Sequence, residues 1–187
     1  MTAVVITGGR APVAVELAKS FSDAGFKVIG AESRTNLLSG SKFANKSYRV
    51  PAPRWDPLGF ADAITGIARL YKAELIVPCC EEVFWLAEAA DRPGFEELAQ
   101  KLFGAKISTL RRLHQKADFV DLLQDLDEPA PQGSVVSSRA ELVALRRGKQ
   151  TAAILKPVFP ALRLTRSCMS LDRQYPRSSP LARRGLG

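Results

Sequence analysis

The sequence predicts an α/β fold built on a doubly wound parallel β-sheet. Short apolar runs rich in β-branched residues, such as AVVIT at 3–7 and ELIVP at 74–78, have the composition of strands buried on both faces. Amphipathic segments separate these runs. Strands that alternate with helices favour a parallel sheet whose crossover connections are right-handed.

The first part of the chain contains the elements of this sheet in alternation. Pro12 suits the first turn of the first helix, and Gly25 suits its C-terminal cap. Asp56 and Pro57 suit the start of the second helix. We predict strands at 3–7, 27–33, 47–51, 74–78 and 105–108, and helices at 11–25, 56–72 and 81–91.

The pattern changes after Ser108. Two short helices are predicted at 109–114 and 116–126. An extended segment at 130–138 then leads into a strand, followed by a helix at 139–149 and the run AAILKP at 152–157, which predicts a buried strand carrying Lys156. This strand–helix–strand unit is typical of the opening of a second domain.

The segment 160–187 has a different composition from the rest of the chain. It shows no helical or strand period, and it contains six arginines, one aspartate and no lysine. The net charge of the whole chain is +8, so the remainder carries only +3. This distribution argues against a nucleic-acid role. We expect this irregular tail not to pack as part of a domain and to be a frameshift product.

Composition also bounds the compartment. Hydrophobic residues make up 46% and charged residues 25% of the chain, as in ordinary globular proteins, and no apolar run is long enough for a membrane span. The N-terminal segment lacks the basic region of a signal peptide. The three cysteines include an adjacent pair, which does not suggest a disulfide framework. A cytoplasmic location is therefore expected.

A candidate ligand site follows the first strand. TGGRAP at 7–12 places Gly8, Gly9 and Arg10 between a strand and a helix, where open α/β sheets bind ligands and helix N-termini attract anions. A tight turn explains the same residues equally well. The segment is not the dinucleotide-binding fingerprint, because the third glycine is missing and Pro12 has no N–H group.

Two carboxylates follow the fourth strand. PCCEEVFW at 78–85 places Glu81 and Glu82 at the start of the next helix. Carboxylates in a first turn are stabilised by the helix dipole, which is a sufficient structural explanation. A role in binding substrate, or in an interface, is the alternative.

Two lysines remain as candidates for nucleotide contact. Lys116 opens a helix, and Lys156 precedes a proline at the end of the predicted strand. Either could be a solvated surface residue. Cys79 and Cys80 lack CxxC spacing, and His114 is the only histidine, so no metal site is predicted.

Five segments together carry a resemblance to a known family. Their order and spacing resemble the ATP-grasp superfamily of carboxylate ligases, which includes biotin carboxylase and the carbamoyl phosphate synthase large chain. The resemblance covers residues 1–159, with the stand-alone proteins related to the carbamoyl phosphate synthase large chain as the nearest likeness. The segments are VVITGGRAPVAVELAKSFSDAGFKVIGAES, YRVPAPRWDP, LIVPCCEEVFWL, LRRLHQKADFVDLLQDL and AAILKPVF.

The resemblance implies a domain order and a chemistry. Residues 1–113 would form a Rossmann-like pre-ATP-grasp domain, 114–159 part of the first ATP-grasp lobe, and 160–187 the irregular tail. The family uses ATP and Mg²⁺ to activate a small-molecule carboxylate as an acyl phosphate, which an amine or another nucleophile then attacks. Lys116 and Lys156 match the family's basic residues that approach the nucleotide.

The sequence also departs from the family pattern. The glycine-rich loop, the adenine-binding segment and the second lobe with its Mg²⁺ ligands do not follow residue 159. We therefore expect a truncated, inactive protein that retains at most weak ATP binding. The alternative is a non-enzymatic Rossmann-type nucleotide-binding or interaction module, which forms a homo-oligomer or pairs with a separate ATP-grasp chain. An NAD(P)-dependent enzyme is a third possibility, disfavoured by the missing fingerprint.

Limited proteolysis tests the expectation for the tail. Ordering each residue of 160–187 costs roughly 1–2 kcal/mol of backbone entropy. Burial of its five leucines would contribute roughly 1.5–3 kcal/mol each, which is too little to offset the ordering of the whole segment. Trypsin should therefore cut first between Arg163 and Arg184 and leave a core that ends near Lys156. A tail as resistant as the first domain would contradict this expectation.

Overall fold

The computed structural model of the chain describes residues 2–131, 133–147 and 154–158. Its centre is a four-stranded, entirely parallel sheet in the order β3-β2-β1-β4. This arrangement confirms the predicted α/β fold class. The strands are β1 (Ala3–Thr7), β2 (Lys27–Glu32), β3 (Lys46–Arg49) and β4 (Ala73–Pro78).

Seven α-helices and one short 3₁₀ turn complete the described part of the chain. Helices were predicted close to six of these positions, and only α4 was missed. The helices are α1 (Pro12–Asp23), α2 (Pro57–Tyr71), α3 (Glu82–Ala90), α4 (Glu96–Lys101), α5 (Ile107–His114), α6 (Lys116–Asp125) and α7 (Arg139–Arg147).

The sheet is covered on both faces, as its continuous apolar strands require. Side chains alternate across a strand, so Val4 and Ile6 of β1 contribute to one core layer while Val5 contributes to the other. The first layer includes buried alanines of α1. The second layer includes Phe60 and Ile64 of α2 and further residues of α3 and α4. The sheet is thereby fixed rigidly enough to position the residues at its ends.

The helix ends follow the predicted signals. Pro12 occupies the first turn of α1. Asp56 caps α2, and its Oδ1 accepts a hydrogen bond of 2.9 Å from the N–H of Gly59. Lys72 ends α2 in the left-handed conformation at φ 50°, which is uncommon for a residue with a side chain.

The strand predicted at 105–108 is wrong. Ile107 begins α5, and it is buried against Phe84 and Ala87 of α3. Beside β4, the sheet edge is instead occupied by a single parallel bridge between Ile76 and Leu102. Leu102 follows the unpredicted α4 and lies three residues before the start of the predicted strand. Burial of Ile107 against a helix therefore decided the conformation of a segment too short for its pattern to be decisive.

The strands predicted in the second unit are not confirmed. The described residues of 130–138 form no strand. Within 152–157, the described residues 154–157 are also outside any strand, and Ile154 and Leu155 are 85% and 62% exposed. The expected buried strand at Lys156 is therefore wrong for these residues, since no neighbouring strand pairs with them in the described part of the chain. Residues 152–153 and the tail 160–187 lie outside the described residues.

None of the helices in the described ranges combines the length and the apolar composition that crossing a membrane requires.

Substitution of Lys72 tests the geometry at the end of α2. The left-handed conformation costs a residue with a side chain about 1–2 kcal/mol, and glycine avoids this cost at the expense of a more flexible unfolded chain. Lys72→Gly should therefore raise the free energy of unfolding by about 0.5–1 kcal/mol in a urea titration.

Ala24→Gly is the matched control, because Ala24 caps α1 at φ −79° and gains no relief from glycine. A loss of stability in Lys72→Gly equal to that in the control would contradict the assigned conformation.

Candidate functional site

The candidate site lies at the carboxyl edge of the sheet, between the ends of two adjacent strands. β1 and β4 run parallel, with Thr7 beside Pro78. The loop containing Gly8 and Gly9 therefore lies next to the turn that leads into α3. The sequence placed candidate residues in both segments, and the structure brings them together.

Glu82 holds these two segments together. Its side chain is only 4% exposed. The Oε1 atom accepts hydrogen bonds from Thr7 Oγ1 at 3.0 Å and from the backbone N–H groups of Cys79 and Cys80 at 3.1 Å each. Three donors on one oxygen, together with its place in the first turn of α3, offset much of the cost of burying a charge.

Gly8 is required by the position of this carboxylate. Its φ of +70° is a conformation that residues with side chains rarely adopt, and a Cβ atom at Gly8 would lie 2.2 Å from Glu82 Oε1. At Gly9 a Cβ atom would lie 2.4 Å from Asn36 Oδ1. Both glycines thus allow the loop to pack closely against its neighbours, and their substrate-binding role stays a prediction.

Arg10 carries the positive charge of the site. Its Nη1 lies 3.1 Å from Glu32 Oε2, whereas its Nη2 lies 3.6 Å from Glu81 Oε2 and 3.8 Å from Glu82 Oε2. Partial burial by itself lowers the pKa of Arg10, but the attraction of Glu32 and the other carboxylates outweighs burial, and the pKa is raised. With three carboxylates around one guanidinium, the cluster carries a net charge of −2.

Glu32 and Thr7 belong to the cluster and were missed from the sequence. Glu32 ends β2, is nearly buried, and accepts hydrogen bonds at Oε1 from Ser33 N at 2.7 Å and Ser33 Oγ at 3.0 Å. A charged residue at the end of an apolar strand, one strand away from Gly8, was the signal that could have identified it. Thr7 offered no comparable signal, because a threonine is ordinary in a strand.

A small cavity of about 10 Å³ lies within the cluster, enough for one water molecule at most. A larger hollow of about 550 Å³ lies elsewhere, beside Lys27 at the start of β2 and Tyr71 at the end of α2. Open parallel sheets bind ligands at the carboxyl ends of their strands, so we place the candidate site at the smaller cavity. Its lining consists of Gly8, Arg10, Ala31, Glu32, Pro53, Phe60 and Glu82.

The two candidate lysines lie near each other in the chain's second part, apart from this cluster. Lys116 begins α6, its Nζ donates a hydrogen bond of 3.0 Å to the carbonyl of Pro157, and its N–H donates to the carbonyl of Val158 at 3.2 Å. The exposed Lys156 is the residue before Pro157. In the described ranges, neither lysine forms a hydrogen bond or an ion pair with the Arg10 cluster.

The described side chains do not form a metal site, even though three carboxylates surround Arg10. The described residues include no group of three or more His, Cys, Asp or Glu placed to hold a metal ion. Burial, and then the charge of Glu82, raises the pKa of the Cys79 thiol to about 12. Burial likewise raises the pKa of Cys80. The ring of His114 lies 4.8 Å from that of Phe84, so it contributes to the packing of α5 on α3.

Solved structures share this fold, although no protein-family model matches the sequence. The biotin carboxylase domain of a single-chain bacterial carboxylase aligns with a TM-score of 0.56 and 18% identity over 79% of this chain and 34% of its own. The N5-carboxyaminoimidazole ribonucleotide synthetase of Thermotoga maritima aligns with a TM-score of 0.55 and 17% identity over 78% and 36%. The L-amino acid ligase of Bacillus licheniformis aligns with a TM-score of 0.54 and 16% identity over 79% and 42%.

These neighbours are ATP-grasp enzymes, and they confirm the resemblance at the level of the fold. The chain spans about a third to two fifths of the length of these proteins. At this level of identity the likeness establishes the fold and leaves the activity to be tested.

Substitution of Gly8 tests the packing against Glu82. Gly8→Ala imposes the left-handed cost of about 1–2 kcal/mol and displaces a buried carboxylate from its donors, which costs a further 1–3 kcal/mol or so. The free energy of unfolding should fall by about 2–5 kcal/mol in a urea titration.

Gly40→Ala is the matched control, because a Cβ atom there meets no atom within 4 Å and the residue is exposed. Equal stability of the two variants would show that Glu82 does not occupy the position described.

Proposed function

We propose that this chain provides the substrate-side domain and the first nucleotide-binding elements of an ATP-grasp type ligase. Such an enzyme uses ATP to activate a small-molecule carboxylate as an acyl phosphate, which an amine or another nucleophile then attacks. The observation that carries the proposal is the charged cluster around Glu82 at the carboxyl edge of a parallel sheet whose fold matches ATP-grasp enzymes.

The proposal assigns two roles to the candidate residues. Gly8, Gly9, Arg10, Glu81 and Glu82 bind the substrate at the sheet edge. The support is that Gly8, Arg10, Glu81 and Glu82 lie in one continuous cluster with a buried carboxylate at its base, and that Gly9 lies between two of them in the chain.

Lys116 and Lys156 form the nucleotide-binding part of the site. Lys116 is held close to the residues that follow Lys156, because its Nζ donates to the carbonyl of Pro157 and its N–H to the carbonyl of Val158, so two ammonium groups can approach one phosphate chain. In this proposal the pre-ATP-grasp domain comprises residues 1–113 and the partial first lobe comprises 114–159.

Mg²⁺ does not fit the described residues, because they contain no group of acidic side chains placed to hold a metal ion. We therefore assign no catalytic step to a metal held by this part of the chain. We propose that this part of the chain does not turn over ATP by itself, because its described residues contain no group placed to hold the metal ion that such chemistry uses. A cytoplasmic location and a lack of nucleic-acid binding belong to the same proposal.

A non-enzymatic interaction module is the second candidate. Ile154 and Leu155 are 85% and 62% exposed, and α6 has no buried residue. Apolar side chains left in solvent favour burial against another surface, which a second copy of the chain or a separate ATP-grasp chain would supply. In this case the charged cluster around Glu82 would stabilise the fold and would bind no substrate.

Calorimetry with ATP separates the two candidates. A lysine contact with a phosphate is a charge-assisted hydrogen bond, and in an open site its loss weakens binding by roughly tenfold. Lys116→Ala and Lys156→Ala should each reduce ATP affinity by about this factor, with no phosphate release by any variant.

Lys42→Ala is the matched control, since this lysine is exposed and lies in the loop before β3. Unchanged ATP affinity in the double lysine variant would remove these residues from the site and favour the interaction module. ATP turnover that copurifies with the chain and disappears in Lys156→Ala would instead show that the chain is an enzyme by itself.

A further inference from the structure

The two carboxylate oxygens of Glu82 have unequal surroundings. Oε1 accepts three hydrogen bonds, whereas Oε2 is buried and has no hydrogen-bond partner in the described part of the chain. The nearest cationic atom is Arg10 Nη2 at 3.8 Å, which is within ion-pair range but too long for a hydrogen bond. A buried acceptor left unpaired is costly, and such atoms are rare in native proteins.

The unpaired oxygen belongs to a residue that lines the cavity. Oε1 faces Thr7 and the backbone after β4, so Oε2 is the atom directed to the Arg10 side. Arg10, Glu32 and Glu82 all line the cavity of about 10 Å³. A ligand group that enters here must displace part of the Arg10 side chain, because the cavity itself is so small and Glu82 Oε2 is buried.

The charges around the cavity select the kind of group that can enter. Glu32, Glu81 and Glu82 surround the single guanidinium of Arg10, so an anion would meet net repulsion. A neutral donor could form a hydrogen bond with Oε2, but it would not compensate the excess negative charge of the three carboxylates. A primary ammonium is compact, positively charged and has three N–H donors, which suits three carboxylates.

Arg10 can give way to such a group. Its side chain is 47% exposed, and only its contact with Glu32 is within hydrogen-bond distance. The guanidinium can therefore move toward solvent, and because Glu32 and Glu82 are buried, an incoming cation must take its place beside them. In the ligand-free protein it occupies the position that the cation of the ligand would take.

We infer that the site binds its substrate through a primary ammonium group, which displaces Arg10 and donates hydrogen bonds to Glu82 Oε2 and Glu32 Oε2. The inference rests on the proposed function and narrows it in two ways: the carboxylate substrate carries an amino group on another atom, and Arg10 yields its place to that group instead of contacting it. Glu81, which is exposed at the rim, adds a third negative charge to the site.

The test is an NMR titration of the full chain without nucleotide. 4-Aminobutyrate and butyrate are the paired probes, at equal ionic strength, because they differ in the ammonium group alone. The amide resonances of Cys79 and Cys80 report directly on Glu82. 4-Aminobutyrate should shift both resonances with saturation, and butyrate should not.

Three variants complete the experiment. Glu82→Gln keeps an acceptor oxygen for the backbone and removes the charge, so it should abolish the response to 4-aminobutyrate, whereas Glu74→Gln, at an exposed carboxylate of β4 outside the cluster, should retain it. Arg10→Gln removes the internal competitor and should tighten binding roughly two- to fivefold. This last variant changes a half-exposed residue, so it remains informative if Glu82→Gln fails to fold.

The outcomes are decisive in both directions. Equal shifts with butyrate, or no saturable response to 4-aminobutyrate in either the unmodified chain or Arg10→Gln, would overturn the inference. Because the NMR titration contains no nucleotide, its result is independent of the ATP-binding measurements on the Lys116 and Lys156 variants. Failure of the unmodified chain to bind ATP, together with a saturable response to 4-aminobutyrate, would contradict the proposed function and leave the ammonium site standing.

Discussion

The hydrogen bonds to Glu82 Oε1 are the interaction on which the carboxyl edge depends. They connect the end of β1 with the turn after β4 and the adjoining start of α3, across a separation of 75 residues between Thr7 and Glu82. Because the carboxylate is buried, its donors must be fixed in place. The parallel pairing of β1 with β4 supplies them, and the missing side chain at Gly8 leaves the space that the oxygen needs.

The electrostatics of the chain follow from this arrangement. The sheet edge is negative, with three carboxylates around Arg10, while the candidate nucleotide-binding residues further along the chain are lysines. The negative sheet edge favours a cation, and the lysines favour a phosphate chain. This separation of charge accords with a ligase that must hold an organic substrate and ATP at different places in one site.

The sheet was predictable because its strands are buried on both faces and its helices are amphipathic, so local pattern and final environment agree. The sequence prediction was wrong where contacts outside the segment determine its conformation. Ile107, predicted in a strand, belongs to a helix packed on α3, and Ile154, also predicted in a strand, lies in none. In the site, Gly8 and Glu82 could be found from their place after strands. Their contact could not, because it requires the register of two strands far apart in sequence. Glu32 was missed although it met the same positional criterion.

Amide hydrogen exchange at Cys79 and Cys80 tests the central role of Glu82 most directly. Both amides lie outside any strand or helix, and their described hydrogen bonds go to Glu82 Oε1 alone. We predict slow exchange for both in the unmodified chain, and exchange accelerated toward that of exposed loops in Glu82→Ala while the β1 amides remain protected. Rapid exchange at Cys79 and Cys80 in the unmodified chain would contradict the account.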